Sequence, residues 1–287
     1  MSKRLKVGLF IDTFFPMVDG VIMVVDNYAR RLSKYCDVVV FAPVGRKKYD
    51  DSKLPYKVVR CKTKFPVVFL DYDLPLPKLD VDFKKELKEV DLDLVHIHSP
   101  FTIGKIGLKY AQKHDIPCVA TMHSQFKQDF KKAVKTEGMT NLLLKNVMQV
   151  FNNCDECWAV NDQIAKVFVE YGAKTLPKTQ NNGTEMLPYK NDKEILALKN
   201  KHKIKEDEKV LLYIGRLTAL KNIFFIADAL KVLKDKGFKF KMIYVGIGQD
   251  EEKLKKYIEK LKLDKEVIFT GKITNREDIA KYYKMAD

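Results

Sequence analysis

The sequence predicts an α/β protein, because strand-length apolar segments alternate with segments of helical period from the first residues onward. Many of the apolar runs are continuous rather than alternating, which is typical of parallel strands covered by helices on both faces. With 287 residues, 46% of them hydrophobic, the chain is long enough for two ordinary domains. We therefore expect two domains, each with a doubly wound parallel sheet.

Each half of the chain has its own series of strands and helices. The strands predicted in the first half cover residues 6–11, 38–42, 57–60, 94–97, 118–122 and 156–160. Turn-forming residues accumulate between residues 175 and 193, so we place the boundary there and expect domains 1–185 and 186–287. The second domain is predicted as strand 209–214, helix 222–236, strand 241–245, helix 251–261, strand 267–269 and helix 276–285. This series is about half of a doubly wound domain, so we expect the second sheet to be incomplete.

The chain carries a net charge of +15, from 53 lysines and arginines against 38 acidic residues. Nucleic-acid binders concentrate such an excess on a stripe or recognition element, whereas here both halves share it, so we expect no nucleic-acid partner. A diffuse positive field suits an anionic membrane or phosphorylated ligands, and a lysine-rich solvated surface explains it equally well. No apolar run reaches the length of a membrane span and no cleavable signal precedes the first strand, which predicts a cytoplasmic protein.

The five cysteines are an odd number scattered through strand-like contexts, so we expect no disulfide framework. Cys154 and Cys157 have the spacing of a redox or zinc pair. Cys157, however, opens an apolar strand, and zinc would need a second ligand pair nearby. We interpret the cysteines as core thiols and predict no metal site.

Glycines and cations near helix starts are the candidates for phosphate binding. Gly20 begins the helix after the first strand, where backbone N–H groups and the helix dipole favour an anion. In the second domain Gly215 and Arg216 follow a strand and Lys221 starts the next helix, so two cations can clamp a diphosphate; solvated side chains are the alternative. Gly246 belongs to a Val-Gly-Ile-Gly segment that lacks the third glycine of a dinucleotide fingerprint, so we interpret it as tight backbone packing near a ligand.

Three of the five histidines are predicted to line one cleft at strand ends. His96 and His98 point to the same face of one strand, and His123 ends the strand two elements later. No carboxylate or cysteine recurs at ligand spacing, so a metal bound by the three imidazoles is not favoured. A core or capping role explains His96, whereas His123 is a candidate for contacting substrate.

The segment after His123 predicts a basic amphipathic helix. Phe126 and Phe130 lie on one helical face, flanked by lysines that include Lys127 and Lys131. Such a helix suits the surface of an anionic membrane. A helix that packs on the sheet would show the same apolar stripe, so both interpretations stay open.

Taken together in their order along the chain, the sequence motifs resemble those of the retaining GT-B glycosyltransferases of family four. The resemblance covers essentially the whole chain. It implies two Rossmann-like domains, an acceptor-side domain followed by a nucleotide-sugar-binding domain. Residues 24–32 and 123–126 are similar to enzymes that glucosylate diacylglycerol, which implies UDP-glucose as the donor and a lipid such as 1,2-diacylglycerol as the acceptor. The motifs that carry the resemblance are Pro16 to Gly20, His98-Ser-Pro, Thr121-Met-His123, Trp158-Ala-Val, Asn182-Gly183, Gly215-Arg216-Leu217 with Lys221, Val245-Gly-Ile-Gly248 and Phe269-Thr-Gly271.

The resemblance also assigns roles on the donor side. Arg216 and Lys221 would bind the donor diphosphate, and His123 would hold the catalytic position beside the transferred sugar. The family needs no metal, because these cations stabilise the leaving nucleoside diphosphate. The donor-binding set implied by position is Gly20, Gly215, Arg216, Lys221 and Gly246.

On the acceptor side, Asp19 replaces the small residue that usually precedes Gly20, so we expect Asp19 to face the acceptor. We expect the protein to act on the inner face of the cell membrane as a peripheral protein. The residues assigned to the acceptor and membrane are Asp19, His98, Phe126, Lys127, Phe130 and Lys131.

Family members continue beyond the equivalent of residues 281–287 into a segment with two glutamates that contact the donor sugar and ribose. This sequence lacks that segment, so we expect a chain that is truncated at its C-terminus. Two other functions stay open: a noncatalytic fragment or degenerate paralogue that binds a nucleotide or a membrane, and a family-four transferase with a different acceptor.

Overall fold

The computed structural model describes residues 4–66, 73–134, 136–183 and 191–287. The chain divides into two compact units, Met1–Thr184 and Glu185–Asp287, which we call unit 1 and unit 2. Each unit is built on a parallel sheet whose strands alternate with helices, so the α/β fold class is confirmed.

Unit 1 is organised around one seven-stranded parallel sheet. The strands of unit 1, including two outside this sheet, are β1 (Lys6–Phe10), β2 (Asp37–Pro43), β3 (Lys57–Cys61), β4 (Lys64–Phe65), β5 (Leu74–Pro75), β6 (Leu94–Ile97), β7 (Cys118–Met122), β8 (Glu156–Ala159) and β9 (Lys178–Thr179). Its helices are α1 (Gly20–Leu32), α2 (Val81–Glu89), α3 (Thr102–His114), α4 (Phe126–Val134), α5 (Glu137–Phe151) and α6 (Asp162–Glu170). The sheet has the order β3-β2-β1-β6-β7-β8-β9, and β4 and β5 form a separate antiparallel pair.

The two faces of this sheet are covered by separate hydrophobic clusters. Along β1, Leu9 packs into one cluster and Phe10 into the other, since successive side chains of a strand alternate between faces. Strand β2 alternates in the same way: Val40 joins Leu9, and Phe41 stacks on Phe10 with ring centroids 4.5 Å apart. Burial on both faces explains why these strands are continuous apolar runs.

Unit 2 is organised around a three-stranded parallel sheet of order β10-β11-β12. The order of helices and strands predicted for residues 209–285 is confirmed. The first helix of this unit, and the short turn before its second helix, were not predicted from the sequence. The elements are α7 (Asp192–Lys201), β10 (Lys209–Ile214), a 3₁₀ turn (Ala219–Lys221), α8 (Ile223–Asp235), β11 (Phe240–Val245), α9 (Glu251–Lys260), β12 (Val267–Gly271) and α10 (Arg276–Met285).

The cysteine side chains are free thiols, as the core interpretation predicts. Cys36, Cys61 and Cys118 are buried, while Cys154 and Cys157 are partly buried against the core of unit 1. Burial raises the pKa of the Cys157 thiol to about 12. A thiol with such a pKa is mostly protonated at neutral pH and is a poor nucleophile.

A buried carboxylate connects the end of β1 to the start of α3. Asp12 accepts hydrogen bonds from Thr102 Oγ1 and from the Ile103 backbone N–H, both at 2.8 Å. Phe101 precedes α3 and offers no side-chain cap, so Asp12 caps this helix from a distant part of the chain. Burial raises the pKa of Asp12, and the hydrogen bonds from Ile103 and Thr102 oppose that rise.

We expect Asp12→Ala to lower the free energy of unfolding by about 1–3 kcal/mol, because it leaves buried donors without an acceptor. Urea unfolding followed by the fluorescence of Trp158 measures this, since Trp158 is the single tryptophan and lies on β8 of unit 1. The exposed Asp129 on α4 is the control, and Asp129→Ala should change stability by less than about 0.5 kcal/mol. Equal unfolding midpoints for the two variants would contradict the capping role.

Candidate functional site

Neighbouring strands of unit 1 bring their carboxyl ends to one edge of the sheet. Strands β1, β6 and β7 are adjacent and parallel, with His96 opposite Val119 in the register. The chain continues in line beyond β6, since the backbone N–H of His98 donates to the Phe10 carbonyl at 2.8 Å. His98 follows β6 and His123 follows β7, so the parallel register brings these two residues side by side although 25 positions separate them.

A cluster of imidazole rings lies at this edge. His98 Nδ1 is 3.0 Å from His123 Nε2, and the ring centroids of His96 and His98 are 4.0 Å apart. His96 Nε2 lies 2.7 Å from the hydroxyl oxygen of Thr121, and Tyr28 packs against both His96 and His98. The structure therefore brings together the three histidines that the sequence singled out. The contacts of Thr121 and Tyr28 were not predicted from the sequence. Strand periodicity indicates that of Thr121, because Thr121 lies two residues before His123, whereas no local signal indicates that of Tyr28.

Burial keeps these imidazoles neutral at physiological pH. It lowers the pKa of His96 to about 3, helped by the nearby His123, and it lowers the pKa of His123 to about 4. The pKa of His98 lies well below its ordinary value because the ring is buried and because His96 and His123 are close. Each ring therefore carries one N–H donor and one bare nitrogen acceptor, rather than a positive charge.

One nitrogen of His98 and one of His123 lack a hydrogen-bond partner in the part of the chain that the structure describes. These atoms are His98 Nε2 and His123 Nδ1, and both are buried. Buried polar atoms in folded proteins are nearly always paired, so each such exception calls for an explanation. A ligand hydroxyl is a suitable partner, because it both donates and accepts.

The start of α1 is occupied by a side chain of the protein itself. Asp19 is the N-cap of this helix, and its carboxylate accepts a hydrogen bond from the Ile22 backbone N–H at 2.9 Å. A side chain at Gly20 would meet no atom within 4 Å, so packing does not require glycine there. Asp19 thus has a capping role that the sequence analysis did not assign, although an aspartate just before a helix indicates it. The donor role of Gly20 and the acceptor role of Asp19 stay predictions.

Two exposed cations lie beside the start of α8 in unit 2. Arg216 follows β10, and Lys221 closes the 3₁₀ turn before the helix rather than starting the helix itself. Neither side chain forms a hydrogen bond or an ion pair with any residue that the structure describes. The N-cap residue Asn222 has a left-handed backbone with φ 54°, and its side chain does not cap the first N–H groups of α8. The helix dipole and the positive charges of nearby residues favour an anion at such a helix start.

Close backbone packing holds the loop that carries Arg216. Gly246 has φ +144°, and a Cβ there would lie 1.9 Å from the Gly215 carbonyl oxygen. A Cβ at Gly248 would lie 2.2 Å from the Leu217 carbonyl oxygen. These approaches exclude side chains at both glycines, which agrees with the tight packing predicted from sequence.

A carboxylate also holds the loop that carries Arg216. Asp250 accepts a hydrogen bond from the Ala219 backbone N–H at 2.9 Å, and its own N–H donates to Leu217. Sequence reasoning missed Asp250, since its partners lie some thirty residues earlier. The loop from Gly215 to Lys221, which we call the cation loop, is therefore held in place by the segment that follows β11.

The apolar stripe of α4 packs inside unit 1, which corrects the expectation that Phe126 and Phe130 face a membrane. Phe126 is 9% exposed, and its ring contacts Phe101 and Phe151. Phe130 is partly buried against the same cluster. The helix buries these rings because α4 needs them to pack on α5 and on the core. Lys127 of the same helix remains exposed.

Two family models together cover most of the chain. Residues 18–183 match the model of Glycosyltransferase Family 4, and residues 194–287 match that of Glycosyl transferases group 1. The chain therefore belongs to Glycosyltransferase Family 4.

Curated relatives are similar to this chain over nearly all of its length. The alpha-monoglucosyldiacylglycerol synthases of Streptococcus pneumoniae and Acholeplasma laidlawii are each 26% identical over 99% of the chain. The chain spans 65% and 73% of the lengths of these two proteins.

Solved structures are similar in fold. A structure of Anabaena Alr3699/HepE in complex with UDP and glucose gives a TM-score of 0.73 at 16% identity, covering 99% of this chain and 72% of that one. WaaG, a glycosyltransferase involved in lipopolysaccharide biosynthesis, gives 0.64 at 15% identity, with coverages of 99% and 73%. These likenesses confirm the predicted GT-B fold class.

We expect the free energy of unfolding of unit 1 to fall as the pH is lowered from 7 towards 4. The imidazoles of an unfolded chain bind protons below their ordinary value of 6.5, whereas the buried rings of His96 and His123 stay neutral down to about pH 4 or below. The contribution of each neutral ring to the free energy of unfolding is thus fully present above about pH 6.5. It falls between that pH and the pKa of the folded protein, by up to about 1.4 kcal/mol per pH unit for each ring. Urea titrations at several pH values, read by Trp158 fluorescence, measure the slope. His98→Phe should make the slope of the free energy of unfolding against pH shallower, because it removes one buried neutral imidazole. An unchanged slope would contradict the neutral state of the buried histidines.

Proposed function

We propose that this protein is a retaining glycosyltransferase that moves glucose from UDP-glucose to the hydroxyl of a lipid such as 1,2-diacylglycerol at a membrane surface. The observation that carries the proposal is a pair of exposed cations, Arg216 and Lys221, before α8 that have no ion-pair partner among the described residues, in a chain that belongs to Glycosyltransferase Family 4.

A diphosphate is the ligand that the cation pair suits best. The guanidinium group of Arg216 offers a planar fork that can hold two phosphate oxygens, and Lys221 adds a point charge. The dipole of α8 adds partial positive charge at the helix start, next to Lys221 in the chain. These groups would stabilise the charge that develops on a departing nucleoside diphosphate, so we propose a reaction without a metal cofactor.

The identity of the sugar and of the acceptor is supported by the relatives. Two of them are named alpha-monoglucosyldiacylglycerol synthases, and one solved structure of similar fold contains UDP and glucose. In the proposed reaction, the bond between sugar C1 and the diphosphate oxygen breaks while the acceptor oxygen bonds C1 from the same face. The leaving phosphate takes the acceptor proton, so no carboxylate nucleophile is required.

The histidine cluster supports a role in binding hydroxyl groups. With a pKa near 4, His123 is a weak base at neutral pH and carries no positive charge. A neutral imidazole is nevertheless an effective hydrogen-bond partner for a sugar or acceptor hydroxyl. We therefore propose that His123 binds and orients a hydroxyl, rather than removing its proton.

Exposed basic and apolar side chains on two helices of unit 1 support contact with an anionic membrane. Lys127 and Lys131 are exposed on α4, and Met139 and Leu142 of α5 are 46% and 59% exposed. Exposed apolar side chains together with lysines are typical of surfaces that lie in a membrane interface. No helix of the described residues is long and apolar enough to cross a membrane. We propose peripheral binding to the inner face of the cell membrane through these residues.

We expect Arg216→Ala to weaken binding of UDP-glucose on the order of 10- to 100-fold, because one charge-assisted hydrogen bond contributes about 1.5–3 kcal/mol. Arg216→Lys should retain part of the affinity, since it keeps the charge and loses the planar fork. Isothermal titration with UDP-glucose and with UDP measures both. Lys256→Ala, an exposed lysine on α9, is the control that should bind as the wild type does. Equal affinities for Arg216→Ala and Lys256→Ala would refute the diphosphate site.

We expect label to pass from labelled UDP-glucose into the lipid fraction when the protein is incubated with liposomes that contain diacylglycerol. The expected reason is that the diphosphate site holds the donor while the membrane supplies the acceptor. Label that stays in the aqueous phase with every nucleotide sugar would overturn the lipid proposal. Tight binding of UDP-glucose without any transfer would instead support a noncatalytic nucleotide-binding function.

We expect the double variant Lys127→Glu/Lys131→Glu to lose binding to anionic vesicles, since each basic residue near the surface contributes about 1 kcal/mol. Vesicle flotation at low and high salt measures the loss, and salt should weaken wild-type binding. The matched control is Lys84→Glu/Lys88→Glu, which changes the same charge at the same spacing on the exposed side of α2. Equal losses in both double variants would show that net charge, and not this surface, drives binding.

A further inference from the structure

The pairing of His98 with His123 restricts how both rings carry their protons. His98 Nδ1 and His123 Nε2 are 3.0 Å apart, so a single proton lies between them. If His98 donates it, His123 Nε2 is bare and the His123 proton must sit on Nδ1. If His123 donates it, His98 Nδ1 is bare and the His98 proton must sit on Nε2. Two neutral rings joined in this way therefore always share one tautomer, Nδ1–H in both or Nε2–H in both.

The shared tautomer determines what the pair offers to a ligand. With Nδ1–H in both rings, His123 Nδ1 is a donor and His98 Nε2 is an acceptor; with Nε2–H in both, these roles are exchanged. These two nitrogens are the buried ones without a partner among the described residues. The pair thus presents one donor and one acceptor in either state, which matches hydroxyl groups that donate and accept at once.

The surroundings of His98 hold its ring in place. His98 is 3% exposed, its backbone N–H is bonded to the Phe10 carbonyl, and its ring packs against His96 and Tyr28. His123 is less buried and follows the end of β7. His98 is therefore the fixed member of the pair, and His123 is the member whose orientation depends on it.

We propose that His98 is a positioning residue for His123: their hydrogen bond orients the His123 ring and couples the two tautomers, so that the pair recognises a substrate hydroxyl as donor or acceptor. This inference deepens the proposed function and rests on it for the identity of the substrate. Its physical core, the shared tautomer, does not depend on that function.

Nitrogen NMR of the whole chain with labelled histidine tests the shared tautomer directly. The chain has five histidines, so the ring signals are few, and single His→Asn variants assign them. We expect the same tautomer in His98 and His123, and opposite tautomers in the wild type would overturn the proposal. The exposed His114 is the matched control, because His114→Asn should leave the signals of the pair unchanged.

Two substitutions of His98 test the positioning role. His98→Phe keeps a ring of similar size and removes the bond, so His123 should become a mixture of tautomers. His98→Asn keeps an amide that can donate to His123 Nε2 or accept from it, so the hydrogen bond that orients the His123 ring should be retained. In the transfer assay, His98→Phe should lower kcat on the order of 10- to 100-fold, and His98→Asn should recover most of that loss with the KM for UDP-glucose unchanged. Equal kcat for wild type and His98→Phe would overturn the positioning role.

The two readouts separate this inference from the proposed function. Should the wild type transfer no sugar, the proposed function fails, while the tautomer measurement still decides whether His98 and His123 are coupled. Should His98→Phe unfold, as seen by Trp158 fluorescence, the wild-type tautomers and the His98→Asn variant still decide it. A single His123 tautomer in a folded His98→Phe variant would show that His98 does not set it.

Discussion

The parallel register of unit 1 is the constraint on which the histidine site depends. Parallel strands all end at the same edge of a sheet, so the residues that follow β6 and β7 meet there although a crossover helix separates them. The hydrogen bond from His98 to the Phe10 carbonyl extends this register past the end of β6. Placing one more residue in that stretch would turn His98 to the opposite face and separate it from His123.

The two units provide different electrostatics at comparable positions. In unit 1, burial keeps His96, His98 and His123 neutral, so they act through directed hydrogen bonds. In unit 2, Arg216 and Lys221 are exposed, and the loop between them is held by close backbone packing and by the carboxylate of Asp250. A neutral cluster suits uncharged hydroxyl groups, whereas a charged and pre-organised loop suits a diphosphate. The chemistry proposed for a sugar nucleotide and a lipid hydroxyl needs both.

Glycines give the cation loop its shape for a reason that is purely steric. Gly246 and Gly248 lie so close to the carbonyls of Gly215 and Leu217 that a Cβ would overlap with them. The loop is therefore held by main-chain atoms and by Asp250, which leaves its side chains free to meet a ligand. Pre-organisation of this kind lowers the conformational cost of binding.

The sequence by itself determined the fold class, the order of the longer strands along the chain and the loop with Arg216 and Lys221, because continuous apolar runs and glycine-cation motifs are local patterns. The two-residue strands β4, β5 and β9 were not predicted, because such short strands have no apolar run of their own. Only the tertiary structure decided how Phe126 is used, since a membrane and a protein core select the same helical stripe. It also decided that Asp12 caps α3 and that His98 is bonded to His123. The contacts of Asp12 and His98 join residues far apart in the chain, and their geometry follows from strand register, which no local pattern encodes.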